Sequence, residues 1–218
     1  MKAFEVSPHL SPLMDSYPDA SVVADAAKYG GKESKEAIAR LWLSEGIPFA
    51  FKTAPALYEV VRTWLGAKLK VDPKEIHLSG SARLGQSLAP YKRGTVFGKH
   101  SDLDFFIVSS DLFSRLEVDF NNWSSHYENG TLHPSVKEAI FWEDNNKRGK
   151  IILGRGFIDS KMIPNRNEYS SNKIIAQSMW ELKQKLDATQ CAPAIKSASV
   201  RCYKDWKSYV RQVVLSLN

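Results

Sequence analysis

The chain has 218 residues, 43% of them hydrophobic and 25% charged, with a mean hydropathy of −0.33. That balance is ordinary for a globular protein with one substantial core, and it excludes wholesale disorder. No stretch reaches the length and apolarity of a membrane span or of a secretory leader, so a cytoplasmic protein without membrane contact is expected. Net charge is +6 and unevenly placed: residues 1–160 carry twenty basic and twenty acidic side chains, residues 161–218 ten and four. A cationic end on a neutral body suits a polyanionic partner, nucleotide phosphate or nucleic acid. Cys191 and Cys202 form no zinc-type pair, and the five histidines show no ligand spacing.

In chain order, residues 1–30 read as an irregular arm. Ile38, Leu41 and Trp42 mark a helix from Glu33 to about Glu45, with Gly46 placed to end it. Thr53 offers an N-cap before Pro55, and Leu57, Tyr58, Val61, Trp64, Leu65 and Leu69 give a helical stripe. Ile76–Leu78 is a short strand running into Gly80-Ser81, and Phe105–Val108 is the most strand-like run. Helices are expected from Leu112 to about Trp123 and from Pro134 to Asn145, then a third strand over Lys150–Ile158. Asn129-Gly130-Thr131 reads as a turn. Two helices close the chain: one carries Ile175, Met179, Leu182 and Leu186, and the other begins near Pro193 with Val200, Tyr203, Trp206, Val210, Val213 and Leu217 in its stripe. Three segments follow: an N-terminal arm and helices (1–70), a core (71–165) and a basic helical end (166–218).

The chemistry concentrates in residues 76–108, IHLSGSARLGQSLAPYKRGTVFGKHSDLDFFIV. A strand enters a Gly-Ser turn that opens a short helical stretch, whose unsatisfied N–H groups favour phosphate oxygens. Gly80 permits close backbone approach and Ser81 adds a hydroxyl donor. Asp102 and Asp104 stand two residues apart at a strand start, so both carboxylates point to one face. Side by side they repel unless a cation bridges them, and hard oxygen ligands of this kind suit Mg²⁺ bound together with substrate phosphates. Lys92, Arg93, Lys99 and His100 make the intervening loop basic.

The string GSARLG followed by SDLDFFIV resembles the Gly-Ser, then Asp-x-Asp pattern of the polymerase-β-like nucleotidyltransferase superfamily. The SLAP stretch and basic loop between them look nearest to oligoadenylate-synthase-like and bacterial anti-phage defence members. The resemblance spans about 35 residues. It implies an α/β (α+β) nucleotidyltransferase fold, a small mixed sheet flanked by N-terminal and C-terminal helices. It also implies a transferase that moves a nucleotidyl group from an NTP or dNTP, ATP by superfamily default, to a hydroxyl and releases pyrophosphate.

Two Mg²⁺ or Mn²⁺ ions would be held by Asp102, Asp104 and a third carboxylate. Asp159 is the best candidate for the third, with Glu117, Asp119, Glu143 and Asp144 as rivals. Gly80, Ser81, Arg83, Lys92 and Ser101 would bind the nucleotide, and Arg155 is a further phosphate candidate; Arg83 could equally serve a structural pairing.

Acceptors left open are a nucleotide or growing single-stranded oligonucleotide in a defence or toxin–antitoxin setting, an RNA end, or a protein hydroxyl, on a separately encoded effector or toxin or on this chain's own C-terminal tyrosines. Arg201, Tyr203, Lys204, Lys207, Tyr209 and Arg211 would contact the nucleic acid or act as primer. A catalytically inactive nucleotide- or nucleic-acid-binding module is the reading from a different class.

Overall fold

The computed structural model describes residues 3–217. Among them are eight α-helices and four strands, in the order α1 (Ala20–Tyr29), α2 (Gly31–Arg40), α3 (Pro55–Leu69), β1 (Ile76–Leu78), α4 (Gly80–Leu84), β2 (Leu103–Val108), α5 (Ser110–Glu128), α6 (Val136–Gly154), β3 (Phe157–Asp159), α7 (Ser170–Asp187), β4 (Ala198–Tyr203) and α8 (Trp206–Ser216). The class is mixed α+β, with one small mixed sheet. No helix among the described residues is long and apolar enough to cross a membrane.

The sheet runs β1-β2-β4-β3, with β1 antiparallel to β2, β2 parallel to β4 and β3 antiparallel to β4. The LDFFIV run takes the interior because it carries apolar residues on both faces. Leu103, Phe105 and Ile107 point to one side, where Val200, Cys202 and Ile158 join them in the main core against α3, α5 and α7. Asp104, Phe106 and Val108 point to the other, by strand alternation. There Phe106 and Val108 meet Phe157, Tyr203 and Tyr209 of α8 in a smaller aromatic cluster. The Phe106 and Tyr209 rings stack at 4.3 Å.

Several expectations are corrected. The N-terminal arm contains α1, whose Val23, Ala26 and Ala27 pack on Ile38, Leu43 and Leu84; its alanine-rich stripe is too weakly apolar to stand out in the sequence. Ala54, not Thr53, is the N-cap of α3, and it gives no side-chain cap. The strand expected over Lys150–Ile158 is instead the end of α6, and only Phe157–Asp159 is extended. A Ser135/Glu138 capping box starts that helix, and Gly149 lets it lie on the Phe120 ring, which a Cβ there would strike.

The C-terminal stretch departs most. Val200 and Tyr203 belong to strand β4, not to a helix from Pro193. Their spacing to Trp206 and Val210 imitates a helical stripe, but Val200 and Cys202 alternate into the core while Ser199, Arg201 and Tyr203 share the opposite face. Asp205 then caps α8, accepting from the Ser208 N–H at 2.7 Å. The 166–218 segment therefore supplies an interior strand of the sheet, between β2 and β3, and does not form a helical appendage.

Candidate active site

The open end of the sheet's second face gathers the candidate residues. β1 runs into Ser79, the residue before α4, whose N–H and hydroxyl both donate to the Asp104 carbonyl, at 2.9 and 3.0 Å. This double clasp ties the turn to the start of β2. Gly80 follows with φ +62°, a left-handed conformation that disfavours any side chain. A Cβ on Gly80 would lie 3.9 Å from Asp104 Oδ2, so backbone and carboxylate stand next to each other.

Asp102 and Asp104 share a face, as their spacing requires, and each is held by a serine, Ser197 just before β4 and Ser199 within it. Ser197 donates to Asp102 Oδ1 and Ser199 to Asp104 Oδ1, both at 2.7 Å. Neither carboxylate has an ion-pair partner among the described residues. Asp159 is placed differently. It lies across β4 from β2, its Oδ2 accepts from Arg201 at 3.3 Å and its Oδ1 from the Lys161 N–H at 3.0 Å. Arg201 thus stands between Asp159 and the Asp102–Asp104 pair.

Asp104, Asp159, Gly80, Ser79, Ser199 and Arg201 line one cleft of about 550 Å³, whose far wall is α8. Ser199 also lines an adjoining hollow of about 440 Å³, together with Ser197, Asn172 and Trp180.

The other expected residues are dispersed. Ser81 sits in α4 and does not line the cleft. Arg83 is buried, turned to the carbonyls of Ile47 and Glu45, with its guanidinium 5.9 Å from the Tyr17 ring. It braces the segment before α3 and is remote from phosphate chemistry. Ser101 closes a turn, accepting from the Gly98 N–H at 3.2 Å. Lys92 is exposed, on a turn whose Ala89 and Pro90 reach the cleft while it does not. Arg155 caps α6 outside the cleft. Of the rival carboxylates, Asp119 is buried, raised by desolvation, and accepts from the Asn172 N–H at the start of α7. Glu117 lies on α5 outside the cleft, and Glu143 and Asp144 are paired with Lys147 and Arg148 along α6.

The basic end splits. Arg201 and Tyr203 are strand residues, Lys204 is exposed beyond the strand, and Lys207 and Arg211 lie on the side of α8 away from the cleft. Tyr209 is buried, donates to the Leu43 carbonyl at 3.1 Å, and is pushed far above the ordinary tyrosine range by desolvation. Its hydroxyl is not presented as a primer, and Tyr203 is likewise buried.

Sequence reasoning missed Ser79, Ser197 and Ser199, and it put Arg201 on a basic helix where the structure has it on β4 beside Asp159. The signal was present: in SASVRCY the polar residues Ser197, Ser199 and Arg201 alternate with apolar ones, a strand period concealed by the helical spacing around it.

The chain matches no protein-family model, no curated protein and no solved structure. What the site defines is a class: a mixed α+β protein with two serine-braced carboxylates two residues apart, of which Asp104 lines a cleft.

The oxygens of Asp102 and Asp104 form a hard donor pair that suits one divalent cation bound jointly with a phosphate ligand. Among the described residues no three His, Cys, Asp or Glu side chains converge closely enough to hold an ion by themselves. Asp159 would join only by exchanging Arg201 for the cation.

Proposed function

We propose that this chain is a metal-dependent nucleotidyltransferase of the polymerase-β-like kind, moving a nucleotidyl group from an NTP or dNTP to a hydroxyl. The observation that carries the reading is the juxtaposition of Gly80 and Asp104: a left-handed glycine turn set against a same-face carboxylate pair at a strand start. Asp102 and Asp104 would hold Mg²⁺ or Mn²⁺, which when bound neutralises developing phosphate charge and lowers the pKa of a coordinated hydroxyl. Ser197 and Ser199 fix the carboxylates' orientation. Gly80 leaves room for phosphate beside Asp104. Lys161 and Arg201, lining the same cleft, supply positive charge near the leaving pyrophosphate. In the transfer the acceptor oxygen bonds the α-phosphorus as the α–β bridging bond breaks. Asp159, freed from Arg201, takes the hydroxyl proton.

A second reading has its own observation. Arg201 occupies Asp159, so the third carboxylate is already neutralised. That arrangement favours a nucleotide-binding module that does not react.

Incubation of the protein with each α-³²P-labelled ribo- and deoxyribonucleoside triphosphate, with Mg²⁺ or Mn²⁺, separates the two. Products are resolved on nucleic-acid and protein gels beside Asp102→Ala/Asp104→Ala. An oligonucleotide ladder or small labelled product from the native chain only supports transfer to a nucleotide, the acceptor nearest the defence-type resemblance. Label on protein assigns a protein hydroxyl as acceptor. Retained binding with no triphosphate consumed overturns the transferase reading in favour of the binding module.

A further inference from the structure

On the other side of α8 lies a larger groove of about 1210 Å³, between α2, α3 and α8. That volume exceeds the 300–1,000 Å³ common for single small-molecule sites. Its rim carries Lys32, Arg40, Arg62, Lys74, Lys207 and Arg211, against two carboxylates, Glu36 and Glu45. Glu36 is shared by Lys32 and Arg40, and Arg62 is paired with Glu59. Lys74, Lys207 and Arg211 have no carboxylate at ion-pair distance among the described residues.

The floor is apolar, with Tyr58, His77 and Trp206 beside Val210, Val214 and Leu215. Trp206 stands edge-on to His77 at 5.1 Å and remains 45% exposed, offering a flat apolar surface among the cations. His77 itself is held neutral at physiological pH, because burial pushes its pKa down to about 4. The positive field therefore comes from the rim and the flat surface from the floor, an arrangement matched to a ligand with an anionic backbone and exposed planar rings.

We propose that this groove binds single-stranded polynucleotide, its phosphates along Lys74, Lys207 and Arg211 and a base on Trp206. A duplex turns its bases inward and offers Trp206 no such face. An acidic polypeptide matches the charge but not the stacking surface. The proposal does not depend on the transfer reaction, since no carboxylate of the cleft lines this groove.

The test is fluorescence anisotropy with a fluorescein-labelled mixed-sequence 12-mer, as RNA and as DNA, on the full chain across a salt series. Saturable binding is expected, weakening with salt. Lys74→Glu/Lys207→Glu should weaken it by about tenfold or more and flatten the log–log salt slope by about 1.4, the contribution of two phosphate contacts on a single strand. Lys137→Glu/Lys147→Glu, reversing charge on α6 outside the groove, should leave it within about twofold. Asp102→Ala/Asp104→Ala should bind at least as tightly as the native chain, which separates this site from the cleft. Trp206→Phe, which retains an aromatic ring on the floor, should bind more weakly at unchanged salt slope.

Any of three results overturns the proposal: no saturable binding at 50 mM salt, equal losses from the groove and α6 reversals, or displacement by poly-glutamate or matched duplex at least as effective as by unlabelled single strand.

Discussion

The helix α8 divides one face of the sheet into two regions of opposite character. On one side lies the cleft, with Asp104 and Asp159 beside Lys161, Arg201, Ser199 and Gly80; on the other lies the groove, with lysines and arginines over an apolar floor that includes Trp206. The cleft draws on β2, β3 and β4, the groove only on His77 of β1. What separates them is a dry partition in which Tyr209 stacks on Phe106 and Trp206 leans edge-on against both, at 5.5 and 6.3 Å. The helix periodicity does the sorting: Gln212, Val213 and Ser216 face the cleft, Lys207, Arg211 and Val214 the groove. Asp104 on the cleft side and Lys207 and Arg211 on the groove side are thereby kept from neutralising each other, while within the cleft Arg201 pairs with Asp159.

The largest expected effect breaks one side alone. Asp102→Ala/Asp104→Ala should abolish the proposed transfer in the labelled-triphosphate assay and leave thermal stability nearly unchanged, because Asp104 is exposed and neither side chain has an ionic partner. A large loss of stability would instead mark the pair as structural.

Next comes the partition. Tyr209→Ala should cost about 3–5 kcal/mol in urea unfolding, the range for removing a buried aromatic ring. Tyr209→Phe, which loses only the bond to the Leu43 carbonyl, should cost about 1 kcal/mol. Equal costs for the two would show that stacking on Phe106 contributes nothing.

The groove floor gives a pH signature. Burial pushes His77 down to about 4 from 6.5. Between those values the unfolded imidazole is protonated while the folded one is not, so the unfolded state binds the extra proton. Stability is therefore full above about pH 6.5 and falls as pH drops toward 4, by at most about 3 kcal/mol. His77→Gln should flatten unfolding free energy across that window, and an unaltered slope would remove His77 as its source.

The smallest effect refines the cleft. Ser199→Ala deletes a hydroxyl that orients Asp104, and loss of such an outer partner lowers metal affinity or activity by about 10–100-fold. A metal titration of the transfer reaction should show the shift. No change in metal dependence would reduce Ser199 to a packing residue.

The sequence by itself determined the parts whose signals are local. Period-3.6 apolar stripes and a proline at the start located α3, and β-branched and aromatic residues located β2. The spacing of Asp102 and Asp104 required one face, and the strand provides it. The turn at Gly80 was legible because a Gly-Ser pair directly after a short strand marks a turn, and glycine takes φ +62° without steric cost.

Only the tertiary structure decided the rest. Residues 198–203 form a strand because a place beside β2 and β3 was available to them, and cross-strand pairing outweighs the helical look of their spacing. That placement brings Ser197 and Ser199 to Asp102 and Asp104 across 95 residues of sequence, which no local pattern records. It also sets Arg201 against Asp159, and a separate long-range contact turns Arg83 inward to the carbonyls of Glu45 and Ile47. A side chain's type is written in the sequence, whereas its partner is chosen when distant segments exclude water together, and the candidate site is made almost entirely of such partners.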